Sequence, residues 1–145
     1  MIVITDSNII FSALYTPSGE IASILKNKGK IQLFAPDYLI IEVKNHLSKI
    51  SLRRGVTKKQ ILSELNLLLE NITIIDCNEI PKNCVVQAVE IVKDIDIDDI
   101  FFVALHLFKK HKIWTTDKLL REGLEKKGFK ICVTTSEVKS KLYKK

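Results

Sequence analysis

Two rhythms of apolar residues alternate along the chain. Short β-branched runs, at Ile2-Val3-Ile4-Thr5, residues 31–35 and Ile72-Thr73-Ile74-Ile75, have the length and make-up of buried strands. Between them the spacing is helical. An apolar helical stretch follows Asp6-Ser7-Asn8 through Leu14, Pro17-Ser18-Gly19 breaks it, and a second helix is predicted to about Lys28, before Gly29. Pro36-Asp37 opens a helix whose core stripe is Ile40, Val43, Leu47 and Ile50, closed by Arg53-Arg54-Gly55. Thr57-x-x-Gln60 resembles a capping box and starts another amphipathic helix through about Glu70. A further helix is predicted over 84–93. Residues 100–108 are apolar nearly all round, as in a helix buried on most faces. Ile113-Trp114 and residues 131–133 read as short strands around a helix at about 118–127, and a basic helix finishes the chain.

Strands alternating with helices from end to end predict an α/β fold. A doubly wound, mostly parallel sheet with helices on both faces is the economical arrangement. The 145 residues fit one domain, 1–145, with no internal repeat, low-complexity segment or linker. No run approaches the ~20 apolar residues of a membrane span, and the start lacks the marks of a signal peptide, so a cytoplasmic chain is expected. Cys77, Cys84 and Cys132 are odd in number and lack Cys-x-x-Cys spacing. They are expected as buried, inert thiols rather than a disulfide framework or zinc site.

Charge changes the picture. The chain carries 23 Lys and Arg against 17 Asp and Glu, a net +6. Acidic residues nevertheless recur where an α/β sheet presents its reactive edge: Asp6, Glu42, the run Asp94/Asp96/Asp98/Asp99, and Asp117. Asp6, Asp37, Asp98 or Asp99, and Asp117 each precede a predicted helix, where an N-cap would contribute ~1 kcal/mol. Capping needs one Asp before residue 100, yet four occur within six residues. Glu42 lies inside its helix at the flank of the apolar stripe, placed either to face a cleft or to snorkel to water. Two carboxylates ~5 Å apart repel by ~3 kcal/mol at an effective dielectric of 20, so a converging set must take up protons or hold a cation. Hard oxygen donors without cysteine favour Mg2+ or Mn2+ over zinc, and metal-assisted phosphodiester hydrolysis is the chemistry that follows.

Other phosphate chemistries fit poorly. Neither Gly-x-x-x-x-Gly-Lys-Ser/Thr nor Gly-x-Gly-x-x-Gly occurs. A haloacid-dehalogenase-like site would place Asp where Asn8 stands, and a receiver-like domain would not explain Glu42 together with Asp117.

The same residues resemble the PIN-domain family over nearly the whole chain. Ile-Val-Ile-Thr-Asp6-Ser-Asn8-Ile is similar to its first strand with a metal-binding Asp and adjacent Asn. Pro36-Asp37-Tyr38-Leu39-Ile40-Ile41-Glu42 resembles the segment carrying the second acid. Asp96-Ile-Asp98-Asp99-Ile-Phe-Phe-Val-Ala104-Leu resembles the third motif, in which spacing to Ala104 favours Asp99 as ligand. Trp114-Thr115-Thr116-Asp117-Lys118 is similar to the Thr-x-Asp motif. The resemblance implies a Mg2+/Mn2+-dependent endoribonuclease with Asp6, Glu42, Asp99 and Asp117 as catalytic metal ligands, supported by Asp96. Many prokaryotic members are toxins of toxin–antitoxin pairs, often dimeric. RNA, an antitoxin protein and a second copy of the chain are therefore the partners implied. A non-catalytic module binding RNA or protein, and a DNA-directed nuclease, are the alternatives.

Around these acids, Asn8 and Thr115 are candidates to orient water or phosphate, or to serve turns. Arg53, Arg54, Lys58 and Lys59 crowd one helix–helix turn, as a positive tip for RNA phosphates or an ordinary solvated turn. His46 sits one turn beyond Glu42, as an orienting partner or a half-buried helix residue. Lys109-Lys110-His111-Lys112 and the terminal Lys141, Lys144 and Lys145 are expected as solvated ends. Aromatic residues make up 7%, without basic–aromatic interleaving, so no stacking platform is expected to set specificity.

Overall fold

A computed structural model describes residues 1–27 and 29–143, so the expected helix end near Lys28 and the terminal Lys144 and Lys145 lie outside the described residues. The β-branched runs form strands β1 (Ile2–Thr5), β2 (Gln32–Pro36), β3 (Ile72–Ile75), β4 (Ile113–Trp114) and β5 (Cys132–Val133). They join in one parallel sheet of order β3-β2-β1-β4-β5. Ile4, Ala35, Ile113 and Trp114 are fully buried, as a sheet covered on both faces requires.

The helices are α1 (Ser7–Tyr15), α2 (Glu20–Leu25), α3 (Tyr38–Lys44), α4 (Leu47–Arg54), α5 (Lys58–Leu69), α6 (Lys82–Val92), α7 (Ile100–Lys109), α8 (Lys118–Lys126) and α9 (Thr135–Leu142). Helix α1 packs against α2, α3, α4 and α5, whereas α7 packs against α6 and on β1, β2 and β4. The sheet thus lies between two helical layers, the expected three-layer α/β arrangement. Phe102, Val103, Ala104 and Leu105 of α7 are buried. Burying side chains the size of Phe, Val and Leu contributes ~1.5–3 kcal/mol each, which fixes the start of α7 relative to the sheet.

One predicted helix is two. The stripe Ile40, Val43, Leu47, Ile50 continues across a break at Asn45-His46, where His46 adopts φ −108°, ψ 6°. In an unbroken helix the Glu42 carbonyl would accept the His46 N–H. Instead that N–H donates to Val43 O at 3.0 Å, and His46 Nδ1 bonds Glu42 O at 2.9 Å. The imidazole replaces the backbone donor, so the ladder ends without an orphaned carbonyl. Gly55 closes α4 in the left-handed region at φ 68°, its N–H donating to Ser51 O.

The chain builds outward from β1 through β2 to β3, then returns to β1's other side for β4 and β5. That reversal between β1 and β4 is a topological switch point, where open α/β sheets bind ligands beyond the strands' carboxyl ends. Asp6 follows β1 and Asp117 follows β4.

Candidate metal centre

Thr5 pairs with Trp114 across the switch point, and the Asp6 N–H donates to Trp114 O at 3.4 Å. Asp6 Oδ1 caps α1 by accepting the Ile9 N–H at 3.1 Å, while Oδ2 is buried with no hydrogen-bond partner. Asp117 Oδ1 caps α8 through the Leu120 N–H at 3.1 Å, and its own N–H donates to Thr115 Oγ1 at 2.9 Å. Thr115 is fully buried. Its hydroxyl also acts on the Asp6 carboxyl, favouring the ionised form. Asp99 stands at the start of α7 but makes no capping bond, and its Oδ2 is also buried and unpartnered. The turn Ile97–Asp99 is held by Asp96, whose Oδ1 accepts the Asp98 N–H at 2.9 Å. Asp96, Asp99 and Asp117 each offer an oxygen within 4.8 Å of the others. Glu42 is half-buried on α3 and accepts the Ser7 hydroxyl at 2.6 Å, which ties it to the first turn of α1 beside Asp6.

Burial and mutual repulsion act on this group together. The Asp99 carboxyl is pushed up to about 8, first by burial and then by the charges of Asp6, Asp96, Asp117 and Glu42. Asp6 rises to about 7, chiefly by burial, partly offset by the Thr115 hydroxyl and the Ile9 N–H and reinforced by Asp117 and Glu42. Glu42 is raised by burial, against the Ser7 hydroxyl, with Asp98 and Asp96 adding to the shift. Left to themselves Asp6 and Asp99 retain protons near neutrality. Two unpartnered carboxylate oxygens in one buried hollow are otherwise costly, since buried polar atoms are nearly always hydrogen-bonded. The donors gathered here are oxygens with no thiol or imidazole among them, a set that fits a hard divalent cation such as Mg2+ or Mn2+.

The sequence model of the PIN domain matches residues 4–142. The chain belongs to the PIN domain family. No curated protein matches it significantly. Solved structures share the PIN fold at low identity. PAE2754 from Pyrobaculum aerophilum is 14% identical with a TM-score of 0.70, covering 99% of this chain and 96% of that one. A chain of VapBC2 from Rickettsia felis, solved bound to a DNA fragment from their promoter, is 18% identical with a TM-score of 0.65, covering 92% and 98%. A chain of a toxin–antitoxin complex from Klebsiella pneumoniae is 16% identical with a TM-score of 0.61, covering 92% and 97%.

Among the described residues the acids within 4.8 Å of one another are Asp96, Asp99 and Asp117; Asp6 and Glu42 lie outside that group, and other acids of this PIN domain are tied elsewhere. Asp94 is held by Lys127, Asp98 accepts the Tyr38 hydroxyl at 3.3 Å, and Asp37 accepts the Cys77 N–H at 3.1 Å instead of capping α3. The His46 ring bonds the backbone of Glu42 and not its carboxylate, so it shapes the helix break and does not orient the acid through a hydrogen bond. Of the four basic residues at the α4–α5 turn, Arg54 is committed elsewhere. Its guanidinium forks onto Glu64 at 2.6 and 3.2 Å. Arg53, Lys58 and Lys59 are exposed, and Arg53 stacks over the Tyr15 ring at 4.9 Å. Asn8 is half-buried on the wall of a cavity that also reaches Thr116. Cys84 and Cys132 are buried as expected, whereas Cys77 is half-buried. The residue that sequence reading missed is Ser7; its position between Asp6 and Asn8 was the available signal. Among the described residues, no helix is long and apolar enough to cross a membrane.

Proposed function

We propose that the chain is a metal-dependent endoribonuclease, with residues 1–145 acting as a single nuclease domain. The observation that carries this reading is the cluster of Asp96, Asp99 and Asp117, with Asp6 and Glu42 close enough for their charges to act on Asp99, around two buried, unpartnered carboxylate oxygens. Asp6, Glu42, Asp99 and Asp117 would hold Mg2+ or Mn2+, with Asp96 supporting them. A bound divalent ion supplies Lewis-acid polarisation of the scissile phosphodiester and activation of water. The chain's own residues supply position. Ser7 fixes the Glu42 carboxylate, Thr115 accepts the Asp117 N–H, and the cap bonds at Ile9 and Leu120 leave one oxygen of each Asp free to face the hollow. Asn8, on the wall of the cavity that reaches Thr116, would orient water or phosphate. The net charge of +6 draws a polyanion toward an acidic pocket that would otherwise repel it, and exposed Arg53, Lys58 and Lys59 are placed to meet phosphates.

The biological setting follows the same reading. Likeness to a chain of a toxin–antitoxin complex supports a toxin of such a pair, acting in the cytoplasm, with an antitoxin protein and a second copy of itself as partners. The test is cleavage of single-stranded RNA, with matched DNA beside it, by the purified chain and by Asp99→Asn. Cleavage that needs Mg2+ or Mn2+ and falls at least ~1,000-fold in the variant is expected from loss of a metal-holding charge. Equal cleavage by both, or cleavage indifferent to chelator, overturns the reading.

A further inference from the structure

Helix α1 continues past the carboxylates with a second set of side chains. Asn8, Phe11, Ser12 and Tyr15 recur at three- and four-residue spacing and so share one face of the helix. From Asn8 to Tyr15 that face runs ~10 Å, at 1.5 Å per residue. Across from it stand His46, at the α3–α4 break, and Arg53, two turns further along. The His46 ring lies 4.9 Å from the Phe11 ring, and the Arg53 guanidinium lies 4.9 Å from the Tyr15 ring centre. A cavity of about 600 Å3 opens here, bounded by Asn8 and Thr116 at one end and by Tyr15 and Arg53; Thr116 adjoins Asp117 in the chain, and none of the clustered acids lines the cavity itself.

The chemistry of this cavity is specific. It offers flat π faces, one guanidinium plane, and hydrogen-bonding side chains on Asn8, Ser12 and Thr116. The one carboxylate on its wall, Glu20, is paired with Lys139 at 3.0 Å, so the groove does not extend the acidic field. A phosphate alone has no use for the rings, and an aliphatic ligand has no use for the amide and hydroxyls. A nucleobase uses both, stacking on its face and bonding along its edge. The volume falls in the ~300–1,000 Å3 range of small-ligand sites.

We propose that this groove is a subsite for one base of single-stranded RNA, stacked on Tyr15 and Arg53 beside the scissile phosphate. The inference rests on the nuclease reading and adds to it a position for one unpaired base, since a base stacked inside a duplex cannot enter.

The test uses the full chain carrying Asp6→Asn, so that RNA survives, and a short fluorescein-labelled single strand followed by anisotropy. Added Tyr15→Ala is expected to weaken binding roughly 5- to 150-fold, the range that base–aromatic stacking carries. Tyr15→Phe keeps the affinity, and Arg53→Lys, which retains charge but loses the plane, gives up part of it. Stepping a single abasic site along the RNA should find one position where removing the base costs as much as Tyr15→Ala and the two losses do not add. This scan needs no folded Tyr15 variant to locate the subsite. Equal binding with and without Tyr15→Ala, together with a flat abasic scan, overturns the subsite; a groove built for a partner's peptide gives that result. Cleavage by the unmutated chain is scored separately. Tyr15-dependent binding without cleavage keeps the subsite and defeats the nuclease reading, and cleavage with Tyr15-independent binding does the reverse.

Discussion

At position 7 a serine hydroxyl lies 2.6 Å from Glu42 Oε1, and it is the side-chain hydrogen bond that holds this half-buried acid. Without it Glu42 has the solvent-facing option that its place on the flank of α3 allows. Ser7→Ala is therefore expected to weaken Mn2+ binding 10- to 100-fold, roughly what orienting partners of metal ligands contribute. The fold should lose only about 1 kcal/mol, as for an ordinary hydrogen bond. Calorimetric titration and urea unfolding of the same variant separate the two effects. The place of Asp6, Asp99 and Asp117 at the sheet's edge was legible in the sequence, because each follows a strand or opens a helix, and so was that of Glu42 on the flank of the α3 stripe. Ser7 was not, because a serine in a first helical turn has an ordinary capping use. Asp94 and Asp98 were equally unreadable as bystanders: only the fold shows that Lys127 and Tyr38 take them.

Elements tell a similar story. Periodicity located the strands and most helices, because alternation between buried runs and amphipathic stripes is imposed by the sheet's two covered faces. The α3–α4 break escaped it, since Ile40, Val43, Leu47 and Ile50 keep their spacing on both sides of His46. Capping signals were also uneven. Thr57 accepts the Gln60 N–H at 3.1 Å as expected, whereas the full reciprocal box sits at Thr134 and Glu137. The α4–α5 turn is where element and function meet. Arg54 and Glu64, both partly buried, clamp the two helices with a bidentate ion pair. Arg54→Ala should cost about 1 kcal/mol of stability and leave RNA affinity unchanged, whereas Arg53→Ala should do the opposite. Melting curves and RNA binding on both variants check this. Aromatic–basic interleaving is absent from the sequence, yet folding sets Arg53 against Tyr15 and His46 against Phe11, because α4 returns alongside α1.

For the whole molecule, the acidic hollow is a store of pH-dependent stability. Asp6 and Asp99 carry folded values of about 7 and about 8 against an ordinary 3.8. Below about pH 4 both folded and unfolded chains hold these protons, and the contribution to stability is complete. As pH rises, the unfolded chain releases them first, so the metal-free protein loses stability up to about pH 8. The expected loss is on the order of a few kcal/mol, and Asp99→Asn should flatten it. Urea unfolding in chelator between pH 5 and 8.5 measures the slope. A divalent ion, by favouring the ionised acids, should remove the decline.

The most direct test is titration of Mn2+ into the chain at pH 7, in two buffers of different ionisation enthalpy. Binding is expected to release about one proton or more per ion, and Asp99→Asn or Asp6→Asn to abolish or greatly weaken it. No binding, or binding without proton release that both variants retain, would contradict this.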